Sequence, residues 1–182
     1  MRYTIFMNDN LILEKLEAIW PEVIGLVITQ RNEKLNICPI NYQGVSTIYE
    51  TPLTVTLGLD NKNLTLENIL ETKEFVYAYP SKDQLKDTIY CGTISGRNED
   101  KLAKTNFEFS PSQKVATPHL VGAVLNYECT LMHHYNVGQF TIVIGEIVAL
   151  HSSTDKNVQK IYALGGSRYG IITDVEVLQD GR

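Results

Sequence analysis

The chain has 182 residues, 43% of them hydrophobic and 20% charged, with a formal net charge of -5. That length suits one domain with a substantial core, and residues 1–182 read as a single unit. An acidic balance excludes the basic footprint of a nucleic-acid binder, and no apolar run is long enough to cross a membrane as a helix.

In chain order, Leu13, Leu16, Ile19 and Trp20 lie at helical spacing and Pro21 ends the pattern. This predicts an amphipathic N-terminal helix within a 1–20 extension. Asp9, Glu14 and Glu17 interrupt this stretch, so no secretory leader is expected. Val23 to Gln30 is a continuous apolar run, the pattern of a strand buried on both faces. Arg31-Asn32-Glu33-Lys34 reads as a hairpin turn and Leu35 to Tyr42 as the returning strand. Pro39 confines that strand to an edge, a bulge or a strand end. Gln43 to Glu50 reads as irregular.

From Leu53 to Asp60, apolar and polar residues alternate with period two, a strand signature. Asp60-Asn61-Lys62-Asn63 is a turn, and Thr65 stands where an N-cap is expected before Leu66, Ile69 and Leu70. Phe75 to Tyr79 follows as a strand. Ser81 to Cys91 reads as a helix capped by Ser81 and broken by Gly92, and Glu99 to Thr105 as a short helix capped by Asn98. Phe107 to Pro118 reads as extended, Leu120 to Leu131 and Phe140 to His151 as long strands, and His133 to Gly138 as the turn between them. Lys156 to Ala163 reads as a short helix, 165–170 as a loop, and Ile171 to Leu178 as a last strand. Strands joined by hairpins, with short helical insertions, predict a mainly β chain (β-barrel, α+β). A closed antiparallel barrel fits better than a doubly wound parallel sheet.

The strand–turn–helix at 53–69 carries the first functional signal. A lysine sits in a turn that opens a helix, whose unpaired N–H groups and dipole favour an anion such as phosphate. A capped helix with one solvated lysine remains the alternative. Constellations for side-chain catalysis are missing: there is no GxSxG, and adjacent His133 and His134 on a strand would point to opposite faces. No metal site is expected. Cys38, Cys91 and Cys129 are widely spaced and odd in number, which predicts free thiols in a reducing cytoplasm. Such a chain either leaves the chemistry to a cofactor or is a plain binding module.

Several segments occur together in one order. They are Asn36-Ile37-Cys38-Pro39-Ile40-Asn41-Tyr42, Val45-Ser46, Pro52-Leu53 and Thr65-Leu66-Glu67-Asn68-Ile69, then Tyr90-Cys91-Gly92-Thr93, Ser95-Gly96-Arg97, Asp100-Lys101 and Lys104-Thr105. Gly138, Thr141 to Glu146 and Arg168-Tyr169-Gly170 complete the set. Over roughly residues 20 to 171 the chain resembles the flavin reductase-like family, in particular its flavoredoxin branch.

The resemblance implies an FMN-binding split β-barrel of Greek-key type, with FMN near a homodimer interface. It implies that Asn36, Cys38, Pro39, Ile40 and Asn41 line the flavin ring edge and ribityl chain, with Ser46 close by. Lys62, Asn63 and Thr65 would meet the phosphate. Ser95, Gly96, Arg97 and Lys101 would cover the cofactor, and His133, His134 and Tyr169 would stand near the open face of the ring. The implied activity is electron transfer from NADH or NADPH through FMN to a small-molecule or redox-protein acceptor; the alternative is a non-catalytic flavin or haem carrier or sensor on the same barrel. The family's Lys-Asp-Thr reads Asn63-Leu64-Thr65 here, with the lysine one place earlier at Lys62. Asn41 stands where serine is frequent, and Phe140 replaces the histidine of Gly-Asp-His-Thr.

Overall fold

A computed structural model describes residues 20–41, 43–45 and 51–173. The expected helix over Asn10 to Trp20 lies outside these residues apart from Trp20, which is not helical. After a two-residue strand β1 (Glu22–Val23), β2 (Gly25–Arg31) is buried on both faces, with Leu26, Val27 and Ile28 fully enclosed. A two-residue turn at Asn32-Glu33 leads into β3 (Lys34–Ile40). The segment expected to be irregular begins with a short strand, β4 (Gln43–Val45), paired to β5 (Thr54–Asp60).

Helix α1 (Leu64–Thr72) packs on β2, β3 and β5, and β6 (Glu74–Tyr79) follows it. Helix α2 (Leu85–Thr93) packs on β3. It runs through Gly92 rather than stopping there, because an isolated glycine lowers helix propensity without forbidding the helix. Ser81 forms its capping box with Gln84 on a 3₁₀ turn that precedes α2.

The short strands β7 (Phe109–Ser110) and β8 (His119–Leu120) pair with each other. The long strands β9 (Leu125–Val137) and β10 (Phe140–Ser152) pair along most of their length. The turn expected over His133 to Gly138 is therefore only Gly138-Gln139: Tyr135, Asn136 and Val137 stay paired to Ile142, Thr141 and Phe140, and Gly138 takes the positive φ of 64°. Strands β11 (Tyr162–Ala163) and β12 (Tyr169–Gly170) form a small sheet with β1.

Two expected helices are absent. At 99–105 the Asp100 carboxylate accepts the Leu102 amide at 3.0 Å, leaving one 3₁₀ turn over Leu102–Lys104. At 156–163 Asp155 accepts the Asn157 amide at 2.8 Å and the chain then enters β11. Residues 171–173 are not in a strand, and the rest of the expected last strand lies outside the described residues.

The main sheet runs β3-β2-β6-β9-β10-β5-β4, antiparallel throughout. It curls into a half-barrel, as the split β-barrel implied by the resemblance requires, and does not close as the strand pattern alone suggested; β3 and β4 are its edges. Two register shifts in the β9–β10 ladder supply bends, and Pro39 blunts the β3 edge. The concave core holds Val27, Leu57, Phe75, Tyr77 and Val143; the outer core holds Leu26, Ile28, Ile37, Val76 and Leu120. Among the described residues no helix is long and apolar enough to cross a membrane.

Residues 107–123 cover the outer core. They are pinned by side chains that rise from the sheet: Glu74 accepts the Thr117 amide at 2.9 Å, and Asn126 bonds both the amide and the carbonyl of Leu120. Glu128, fully enclosed, accepts the Gln113 and Lys114 amides at 2.7 and 2.6 Å and faces His151 Nε2.

Burial opposes the charge on Glu128, but the two amides and His151 outweigh it and hold the carboxyl below the ordinary carboxylate value. A folded value below the unfolded one means this carboxylate stabilises the fold above the unfolded pKa, about 4.3 for glutamate, and loses that contribution as pH falls through the folded value. Glu128→Gln turns an NH2 donor toward a backbone donor and should cost about 1–3 kcal/mol at pH 7. In urea melts the gap to wild type should narrow below about pH 4. A gap that stays constant from pH 7 to pH 3 contradicts this role.

Candidate functional site

The strand β5 delivers the chain to a rigid turn. Asp60 Oδ1 accepts the Lys62 amide at 2.7 Å and the Asp60 carbonyl accepts the Asn63 amide at 2.9 Å. Asn61 ties the turn to the β9–β10 hairpin: its amide donates to the Gly138 carbonyl at 2.9 Å, and its Oδ1 accepts the Thr141 hydroxyl at 2.8 Å. Lys62 is exposed, and its ammonium has no partner among the described residues.

The N-cap of α1 is Asn63, not Thr65. Asn63 is extended (φ -72°, ψ 129°) and its Oδ1 accepts the Thr65 amide at 2.9 Å. Asparagine caps at least as well as threonine, and moving the cap two places earlier sinks Thr65 inside the helix. There Thr65 is fully buried and its hydroxyl oxygen accepts Asn36 Nδ2 at 2.8 Å. The predicted phosphate hydroxyl is thus a support for Asn36. Asn63 Nδ2 in turn donates to Cys38 Sγ at 3.2 Å, joining the cap to β3.

The backbone of β3 supplies the floor. Its outward-facing Ile37 carbonyl accepts Lys101 Nζ at 2.8 Å, and the same ammonium donates to the Cys91 carbonyl at 2.7 Å. Burial lowers the Lys101 pKa, against an opposing influence of the Cys38 and Cys91 thiols. Lys101 is 7% exposed and fastens the end of α2 to the β3 rim, so its charge is spent inside the protein. Gly96 closes the other side: a Cβ there would stand 2.2 Å from Asn36 Oδ1 and 3.2 Å from Leu64 Cδ2. Only glycine permits that approach.

These groups enclose a cleft of 380 Å³, the turn cleft, which brings together Asn36, Cys38, Lys62, Asn63, Ser95 and Gly96, with Pro39 and Lys101 also on its wall. Pro39 is shared with a second cleft of 290 Å³, the loop cleft, walled by Trp20, Ile40, Asn41, Arg168 and Tyr169. There Gly165 (φ 76°) lies against Trp20, where a Cβ would approach Nε1 to 2.6 Å. Arg168 braces the loop by donating to the Gly165 and Leu164 carbonyls.

Arg97 lines neither cleft. Its guanidinium donates to Glu67 Oε2 at 2.6 Å, beside a third cleft of 700 Å³. His133 and His134 are exposed on β9 opposite Ile144 and Val143 and line none of the three clefts. Ser46 lies outside the described residues. The reading from sequence missed Trp20, whose position before Pro21 reads only as a helix end, and gave Glu67 no role of its own. Among the described residues no group of three or more His, Cys, Asp or Glu side chains is placed to hold a metal ion.

The flavin reductase like domain matches residues 19–171. The fold is shared with a flavoredoxin from Methanosarcina acetivorans, at 22% identity and a TM-score of 0.80, covering 99% of this chain and 97% of that one. It is shared with the 2-nitrobenzoate 2-nitroreductase of Pseudomonas fluorescens, at 23% identity and a TM-score of 0.84, covering 98% and 95%. An FMN-binding protein from Thermus thermophilus, solved with bound p-hydroxybenzaldehyde, is similar at 20% identity and a TM-score of 0.83, covering 98% and 100%. The chain belongs to the flavin reductase-like family, and flavin-linked redox is the class of function that membership supports.

The Gly96–Asn36 contact gives a direct test of the site's architecture. Gly96→Ala should cost about 1–3 kcal/mol in urea unfolding, because the added methyl displaces a buried hydrogen-bonded amide. In a double-mutant cycle with Asn36→Ala, at least about 1 kcal/mol of that cost should be recovered. Strictly additive losses would show that Gly96 does not press on Asn36.

Proposed function

We propose that this member of the flavin reductase-like family binds FMN along the free rim of β3 and is an FMN-dependent oxidoreductase. Its electrons come from NADH or NADPH and pass to a small-molecule or redox-protein acceptor. The observation that carries the reading is the pair of clefts meeting at Pro39: one holds an unpartnered ammonium beside a helix N-terminus, the other is walled by aromatic side chains.

The donor set fits such a ligand. FMN has an anionic end, a polar chain and a flat ring with polar edges. Lys62 and the start of α1 suit the phosphate. Asn36, Cys38 and Ser95 suit the ribityl chain, and the close pack at Gly96 leaves the turn cleft open beside them. The backbone at Pro39 to Asn41, beyond the carbonyl that Lys101 occupies, suits the ring edge, and Trp20, Asn41 and Tyr169 leave room for a second planar molecule beside it. The chemistry FMN supplies when bound is hydride acceptance and onward electron transfer. The chain's own tasks are to bind, to orient and to exclude water from one face. No acid–base pair is needed for those tasks, in keeping with the exposure of His133 and His134.

A homodimer belongs to the same reading. Tyr135, Val137 and Phe140 are 55%, 56% and 46% exposed at the tip of the β9–β10 hairpin, an apolar cluster suited to a second copy. That tip is hydrogen-bonded to the Asn61 turn beside Lys62, so a partner docked there would stand next to the phosphate end. The free thiols Cys38, Cys91 and Cys129 suit a reducing cytoplasm.

Protein loaded with FMN and kept anaerobic should lose its visible flavin absorbance on addition of NADH or NADPH, and should oxidise many nicotinamides per chain once an acceptor is present. A flavin spectrum that neither nicotinamide changes contradicts the reductase reading and supports an electron carrier. Lys62→Ala should weaken FMN by about 1–3 kcal/mol, the range for one charge-assisted hydrogen bond. Riboflavin, which lacks the phosphate, should bind Lys62→Ala and wild type alike in fluorescence titrations.

A further inference from the structure

Glu67 sits in the first turn of α1 and holds two arginines at once. Its Oε1 accepts Arg31 Nη1 at 2.8 Å and its Oε2 accepts Arg97 Nη2 at 2.6 Å. The two partnerships differ. Arg31 also donates to Glu71 at 2.8 Å, so it keeps a carboxylate if Glu67 is lost. Arg97 has only Glu67 as an acid partner among the described residues.

The position of Arg97 makes that pairing consequential. The two residues before it, Ser95 and Gly96, wall the turn cleft, while its own side chain lies in the neighbouring cleft. The two clefts share Asn36, Leu64, Gly96 and Lys101, so the guanidinium stands one wall away from Lys62 and the start of α1. Both members of the Arg97–Glu67 pair are close to half exposed, 45% and 43%. Pairs so exposed are weak, whereas a phosphate offers a guanidinium more charge and a matching bidentate face. Arg97, and after it Arg31, hold the Glu67 carboxyl below the ordinary carboxylate range, so Glu67 stays ionised at neutral pH.

We infer that Glu67 is a positioning residue of the phosphate site, holding Arg97 out of the turn cleft until the phosphate of a flavin mononucleotide competes for the guanidinium. The inference rests on the flavin reading above. It gives the Arg97–Glu67 pair a part in ligand choice and makes Glu67 a determinant of how strongly phosphorylated flavin is preferred over riboflavin.

The test is a double-mutant cycle on the full chain, with FMN and riboflavin as probes in fluorescence titrations at one low ionic strength. Glu67→Gln should tighten FMN about 2- to 5-fold, the scale of one weak exposed ion pair. Arg97→Ala should weaken FMN, and Glu67→Gln/Arg97→Ala should match Arg97→Ala within about twofold, because no guanidinium is left to release. Riboflavin should bind all four chains alike. If Glu67→Gln tightens FMN equally in the Arg97→Ala background, Glu67 acts only as a repelling charge and the inference fails. It fails too if Glu67→Gln leaves FMN unchanged or weakens it. A wild-type chain that takes up neither flavin overturns the flavin reading itself, an outcome distinct from the other two.

Discussion

Asn32 and Glu33 both adopt positive φ, 50° and 63°, and the two-residue turn they form fixes the pairing of Arg31 with Lys34. Everything at the site follows from that register. Counting from the turn, the backbone groups of Asn36 and Cys38 face β2, and those of Leu35, Ile37 and Pro39 face outward. Pro39 therefore falls where no ladder bond needs its missing N–H. The Ile37 carbonyl points where Lys101 can take it. The side chains of Asn36 and Cys38 fall on the face of α1, where Thr65 and Asn63 meet them. A slip of one residue would exchange the two faces: Asn36 and Cys38 would enter the outer core, and Pro39 would be asked for a donor it lacks.

Around this rim the structure spends its buried polar groups on rigidity and leaves the Lys62 ammonium free. Lys101 is committed to two carbonyls, Thr65 to Asn36, Asn63 to the α1 cap and to Cys38. Lys62 has no such commitment. A cleft whose walls are fixed from behind, with an unpaired ammonium at a helix start, is preorganised for an anion, because little ordering remains to be done on binding. The glycine at 96 serves the same end, letting the 95–97 lip approach Asn36 without a side chain between them.

Much of this was legible in the sequence where the signals are local. The alternation at 53–60, the apolar run at 23–30 and the turn residues at 60–63 are short-range patterns, and the strands and the turn stand where they put them. Pro39 limited β3 to an edge, a bulge or a strand end, and the strand order selects the edge. What failed to show was tertiary. Thr65 and Asn63 are both good caps, and the choice was made by Asn36 and Cys38, which lie far off in sequence. The extension of β9 through His133 and His134 depends on the ladder to β10, which a run of polar residues does not announce. The open half-barrel depends on which strands stay unpaired, and no local pattern encodes that. The resemblance named Asn36, Cys38, Ser95 and Gly96 together before any geometry existed; it had no means of showing that Arg97 is tied to Glu67.

The central claim is that the free rim of β3 is the seat of the flavin. Hydrogen–deuterium exchange of the whole chain, with and without saturating FMN, tests it most directly, because it reports peptide by peptide which stretches of backbone a bound ligand covers. The account predicts slowed exchange in peptides covering 35–41, 62–66 and 93–97, with the outer-core strap at 107–123 unchanged. Uptake of FMN that leaves 35–41 exchanging as before, while protecting a different surface, would contradict it.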